Sequence, residues 1–204
     1  MKGVVGVTKR GGFYNVEPLR TLKDIEEMKL AIKRGNKITP KRSALAERDL
    51  LIFLIGINTG LRVNDLVRIK VSDVQDCHTF MIREGKTKKI REVNVSMLEN
   101  EIQTYLEGKY MSKYLFPSQK KRGINPLSTT QVYRILNDAA DFLGRKDIGT
   151  HTMRKTFGYH HYKQFKDIAI LQEIFNHSAP SITMRYIGIN KDDINKTLTE
   201  FRLG

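Results

Sequence analysis

The sequence predicts a mainly α chain carrying one small antiparallel β-sheet. Apolar residues recur at helical spacing through most of the 204 residues, and only two short runs, TFMIRE and REVNVS, alternate as strands do. The basic segment GKTKKI joins those runs, which reads as a hairpin with its charge at the tip.

The elements follow in order. TLKDIEEMKLAIKR places Leu22, Ile25, Met28 and Ile32 on one stripe, with Thr21 as N-cap, Lys23, Asp24, Glu26 and Glu27 on the solvated side, and Gly35 as the stop. SALAERDLLIFLIGIN, from Ser43 to Asn58, is apolar almost all round after its first turn and predicts a buried central helix. Thr59 and Gly60 interrupt it, and LRVNDLVRI resumes with Leu61, Leu66 and Ile69 available to the core. After the hairpin, SMLENEIQTYLEG is helical and FPSQKKRGINP is a loop. Ser128 and Gln131 match a capping box before QVYRILNDAADFLG. HTMRKTFGYHHYKQF reads as a basic, aromatic-rich helix, KDIAILQEIFNH as a shorter one ending near His177, and DDINKTLTEF as a last, weak one. A polar segment containing Ser and Thr, read as a loop, separates His177 from Tyr186.

Length allows one large domain with a continuous core. Residues 1–20, rich in Gly and basic groups near the start, are expected to form a flexible basic tail, and 21–204 a single domain. With 36 Lys and Arg against 22 Asp and Glu, the formal charge is +14, which points to a polyanionic partner, nucleic acid first. The single cysteine, Cys77, excludes an internal disulfide and any multi-cysteine metal site. No signal-peptide run and no stretch of eighteen apolar residues is present, so a soluble, cytoplasmic protein without a membrane partner is expected.

Several residues carry chemistry only in combination. Arg62, just after the break in the buried helix, needs an anionic partner, either a ligand or Asp65 three residues on. Lys86 sits in the turn, where an ammonium reaches a phosphate or simply meets water. His151 and Arg154 share a helical face, joining a group that titrates near neutrality to a cation that grips phosphate oxygens. His160 and His161 match no metal spacing, and HExxH, Walker and GxSxG motifs are absent from the sequence. Tyr186 on its own reads as a packed ring.

Taken together, TGLRVNDL, GKTKK, HTMR, NHS and Tyr186 resemble the catalytic domain of the tyrosine recombinase (integrase) family, over about Ser43 to Tyr186. The resemblance implies a tyrosine recombinase catalytic domain-like fold and a catalytic set of Arg62, Lys86, His151, Arg154, His177 and Tyr186, with Tyr186 the nucleophile. Asp65 stands where the motif usually has an acidic residue. The usual LGH ending is Phe175, Asn176, His177 here. About forty residues precede the match, too few for the separate N-terminal core-binding domain common in the family, which is therefore expected to be absent.

The implied activity is site-specific DNA recombination on double-stranded DNA through a covalent 3′-phosphotyrosine, needing no metal and no cofactor. Lys88, Lys89, Lys155 and Arg185 are the further candidate DNA contacts. The resemblance also implies a homotetramer on DNA, at work on the nucleoid, with residues 192–201 packing on a neighbour; a monomer in isolation is compatible with it. Two rivals stand beside it: a non-cleaving repressor or accessory factor on the same fold, against which the full catalytic set argues, and type IB topoisomerase-like relaxation, whose residues would look similar.

Overall fold

Thr21 and Asp24 exchange hydrogen bonds at the start of the first helix: Asp24 N–H donates to Thr21 Oγ1 and Thr21 N–H to Asp24 Oδ2, both at 3.0 Å. That reciprocal cap opens α1 (Leu22–Arg34). The structure, a computed structural model, describes residues 16–34, 40–107, 112–119 and 124–202, apart from the side chains of 40–44 and 190–195. The predicted stop at Gly35 lies outside these residues.

Met28, Ala31 and Ile32 of α1 are buried, but Leu22 is 75% exposed. At 3.6 residues per turn Leu22 falls roughly 100° round the helix from the line through Met28 and Ile32, so it leaves the stripe assigned to it. The central helix α2 (Pro40–Thr59) buries Leu51, Ile52, Phe53 and Ile55. The segment after it is helical only over α3 (Val63–Leu66), followed by α4 (Val71–Val74).

Strands β1 (Thr79–Arg83) and β2 (Ile90–Asn94) pair antiparallel, with Phe80 opposite Val93 and Ile82 opposite Arg91. A 3-10 turn (Ser96–Leu98) leads into α5 (Glu99–Leu106). In the described part of the next loop, Pro117 and Pro126 form an isolated bridge. Ser128 Oγ then accepts the Gln131 N–H at 3.1 Å and caps α6 (Thr129–Phe142). The rest is α7 (Thr152–Phe165), α8 (Ile168–Phe175), α9 (Pro180–Ile187) and α10 (Ile189–Glu200).

Helices α1, α5 and α7 pack around α2, and α6 packs on α1, to form the main core. A second cluster of Tyr159, Leu171, Phe175 and Ile187 knits α7, α8 and α9 together. Two expectations change. Residues 16–20 are packed, not part of a free tail: Leu19 is fully buried and its N–H donates to Thr156 Oγ1 at 2.9 Å. Residues 1–15 lie outside the description. The segment before Tyr186 is mostly helix α9, because Pro180 sits in its first turn with φ already set for a helix, and Thr183 and Ile187 are buried on its inner face.

Candidate active site

Gly60 makes the turn out of α2 at φ +60, and a Cβ there would meet Phe157 Cδ1 at 2.5 Å. The turn presents Arg62, the extended residue that opens α3. Its Nη1 lies 2.7 Å from Glu84 Oε2 as an ion pair, and its Nη2 donates to the Phe175 carbonyl at 3.4 Å. Asp65, the alternative partner, instead accepts the Gly85 N–H at 2.8 Å.

Arg154, 3% exposed, enters from the first turn of α7. It donates to the Gly60 carbonyl at 2.5 Å and the Phe175 carbonyl at 2.9 Å, with its guanidinium 4.3 Å from the Phe175 ring centre. Arg62 and Arg154, far apart in sequence, therefore converge on one carbonyl oxygen. Burial lowers Arg154 to about 10, which leaves it charged at neutral pH.

Phe175 closes α8, and Asn176 at φ 52 turns the chain so that His177 and α9 fold back over the arginines. The Tyr186 hydroxyl reaches His151 Nδ1 at 3.0 Å. His177 Nδ1 meets Thr183 Oγ1 at 2.9 Å, and the rings of His177 and Phe175 each stand edge-on to Tyr186, at 5.3 and 5.5 Å. Burial pushes the Tyr186 phenol up to about 12, opposed by the charges of Arg154 and Arg62. Desolvation, then the charges of Arg154, Arg62 and Lys86, push His177 down to about 4. His151 stands at the surface, yet desolvation around its ring, followed by Arg154, Lys155, Arg62 and Lys86, lowers it too. Two neutral imidazoles and a neutral phenol thus sit among fixed cations.

The remaining candidates ring this centre. Lys86 is exposed in the turn, close enough for its charge to lower both histidines. Lys88 is exposed with φ 61, and Lys89 donates to Asn176 Oδ1 at 2.7 Å, bridging the hairpin to the end of α8. Lys155 is half-buried: it donates to the Val16 carbonyl at 2.6 Å and lies 5.5 Å from the Tyr186 ring centre. Arg185 is exposed on α9. Among the described residues, no group of three His, Cys, Asp or Glu side chains is placed to hold a metal ion, and no helix is long and apolar enough to cross a membrane.

The family profile described as the phage integrase family matches residues 24–193. The chain belongs to that family. A relative called probable integrase/recombinase YoeC, from Bacillus subtilis (strain 168), is 46% identical over 178 residues, covering 87% of this chain and 92% of the relative. The tyrosine recombinase XerA of Pyrococcus furiosus is 30% identical over 175 residues, covering 84% of this chain but only 60% of XerA. Among solved structures, the XerH site-specific recombinase bound to palindromic difH substrate, a post-cleavage complex, superposes with a TM-score of 0.70 at 22% identity, covering 98% of this chain and 57% of that one. The catalytic domain of bacteriophage HP1 integrase gives 0.57 at 21%, covering 90% and 95%. The mainly helical fold with its two-stranded sheet is thus the fold of these integrase-family relatives.

Three parts of the site were not predicted. Glu84, 2% exposed, is in sequence only the end of a strand, yet it pairs with Arg62 and accepts from the Thr87 hydroxyl at 2.6 Å. Burial works against its charge, but Thr87 and Arg62 hold the carboxyl below its ordinary range. Arg91 donates to the Thr59 carbonyl at 2.7 Å behind them. The Phe175 carbonyl, the point where both arginines meet, is main chain and has no residue-type signal.

Proposed function

We propose that this chain breaks and rejoins DNA strands as a site-specific recombinase of the tyrosine type. The observation that carries the reading is the Tyr186 hydroxyl held 3.0 Å from His151 Nδ1, beside two arginines that converge on one carbonyl. Support also comes from the family match and from solved relatives described as DNA complexes.

The phenol oxygen of Tyr186 attacks a phosphodiester as His151 Nδ1 takes its proton. A P–O bond to the tyrosine forms and the bond to the 5′-oxygen breaks, leaving a 3′-phosphotyrosine. Lys86 gives its proton to the leaving 5′-oxygen. Arg62 and Arg154 bind the nonbridging oxygens, where charge grows in the transition state, and in so water-poor a site such donors are worth far more than in water. With the Thr183 hydroxyl donating to Nδ1 of neutral His177, its Nε2–H remains to donate to the same phosphate. Attack by a 5′-hydroxyl from another strand reverses the step on a new partner, and no external energy source is required.

The basic groups around the centre, Lys88, Lys89, Lys155 and Arg185, meet the DNA backbone. Four copies act on two duplexes, and exposed Leu198 and Phe201, on and just after α10, pack on a neighbouring copy. The protein works in the cytoplasm on the nucleoid.

A nicked suicide substrate tests the chemistry. The intact protein is expected to give a covalent adduct that is lost in Tyr186→Phe. An intact protein without any adduct would leave DNA binding alone. Two labelled duplexes separate strand exchange from relaxation, and full tetramer assembly by a chain cut before α10 would contradict the packing assigned to that helix.

A further inference from the structure

The geometry points to Glu84 as a positioning residue that fixes Arg62 and the turn carrying Lys86 relative to one another. One carboxylate oxygen makes both links: Glu84 Oε2 lies 2.7 Å from Arg62 Nη1 and accepts from the Thr87 hydroxyl at 2.6 Å. Thr87 directly follows Lys86, so that hydroxyl pins the turn beside the lysine. The Glu84 main chain closes the same turn, its N–H donating to the Lys89 carbonyl and its carbonyl accepting from the Lys88 N–H, both at 2.9 Å.

The link is reciprocal. The segment that supplies a cation to Glu84 also supplies an acceptor to the next residue, since Asp65 Oδ1 takes the Gly85 N–H at 2.8 Å. Gly85 permits that approach because a Cβ there would meet Asn64 Nδ2 at 2.8 Å and Asp65 Oδ1 at 3.1 Å. The hairpin and the start of α3 are thus joined by an ion pair and a backbone hydrogen bond on neighbouring residues. Burial makes the joint stiff: Glu84 and Asp65 are each 2% exposed, and Arg91 stands behind them with its own charge.

In this arrangement Lys86 is exposed and, among the described residues, its side chain has no hydrogen bond or ion pair, so its place is set by the turn. Six residues, 84–89, connect the two strands, and Glu84 holds that turn to the arginine that grips the phosphate. The phosphate clamp and the proton donor for the leaving oxygen then move as one unit.

The inference rests on the proposed cleavage chemistry, and the test separates the two. Suicide-substrate cleavage is measured with the natural 5′-oxygen and with sulfur at that bridging position, which leaves as a thiolate and needs no proton. Thr87→Val removes the hydroxyl link to Glu84, together with the long 3.4 Å bond that the same hydroxyl accepts from the Lys89 N–H within the turn, and leaves the Arg62 pairing in place, so it is expected to slow the oxygen substrate about tenfold and the sulfur substrate hardly at all. Glu84→Gln loses the Arg62 pairing as well, so a slowing of about 100-fold on oxygen should fall to about tenfold on sulfur, the remainder being the misplaced arginine. Where Glu84→Gln fails to fold, Thr87→Val decides alone.

The coupling is overturned if Thr87→Val cleaves oxygen within about twofold of the parent, or is slowed equally on both substrates while Lys86→Ala is rescued by sulfur. Lys86→Ala left unrescued overturns the assignment of the acid and the coupling with it. A parent protein that forms no adduct with either substrate overturns the proposed function itself.

Discussion

Replacing His177 by Gln should remove a large part of the acid sensitivity of the folded, DNA-free protein. The imidazole is ordinarily half-protonated at 6.5 and in the fold only at about 4, because it is desolvated beside Arg154, Arg62 and Lys86. A histidine whose folded pKa is lowered is protonated first in the unfolded chain. Stability is therefore unaffected above about 6.5, is lost as pH falls towards 4, and levels off below that. At pH 4.5 the unfolded imidazole is almost wholly protonated and the folded one about a quarter, which amounts to about 2.5 kcal/mol. This is an upper bound, since His177 keeps part of its ring in water. Urea unfolding at pH 7.5 and 4.5 measures the effect as a double difference: carboxylates and His151 titrate in both proteins and cancel, and only the His177 share remains. If protein and variant lose the same stability between the two pH values, to within about 0.5 kcal/mol, the cationic, desolvated setting assigned to His177 is wrong.

Arg154→Lys should cut cleavage by about 10²-fold or more and destabilise the fold by about 2 kcal/mol, since one ammonium cannot bridge the Gly60 and Phe175 carbonyls that the guanidinium spans. Adduct formation and urea unfolding read the two effects. Gly158→Ala places a Cβ 2.6 Å from Ile187 Cγ2 and 2.7 Å from the Phe175 ring, so thermal unfolding should show a loss of about 1–3 kcal/mol, with slower cleavage because both neighbours adjoin the centre. Ser128→Ala removes the α6 cap, far from the site, and should cost about 1 kcal/mol while leaving cleavage unchanged.

The parts of the site that were legible in the sequence are those that depend on local spacing. Arg154 and His151 sit one turn apart on α7, the hairpin turn is marked by its composition, and the break after α2 needs its glycine. Each of these constraints acts over a few residues. What was illegible depends on chain segments meeting in space. Glu84 continues a strand in sequence and becomes a counter-ion only when the turn after β1 meets the start of α3. The Phe175 carbonyl matters because Asn176 takes a left-handed turn that no alternation or heptad would signal. Residues 16–20 looked like a tail by composition, but the Thr156 hydroxyl, the Lys155 ammonium and His160 anchor Val16 and Leu19 along α7. Leu22 erred in the other direction, since helical spacing alone overstates the width of the buried stripe on α1.

The electrostatics of the free site bear on how the proposed reaction would begin. His151 must accept the phenol proton, yet in the free protein its basicity is held down by Arg154, Lys155, Arg62 and Lys86. Arg154 and Arg62 oppose the burial that raises the Tyr186 phenol, but burial outweighs them, so the free site favours neither a protonated imidazole nor a phenolate. A phosphodiester seated against Arg62 and Arg154 carries one negative charge into their midst. It cancels part of the field at His151 and raises the basicity of that ring, and it equally weakens the help that Arg154 and Arg62 give a phenolate, so the phenol releases its proton only as its oxygen bonds to phosphorus. In the proposed reaction, proton transfer from Tyr186 to His151 would then accompany attack on the bound phosphodiester, and the raised phenol stays neutral in the unbound protein.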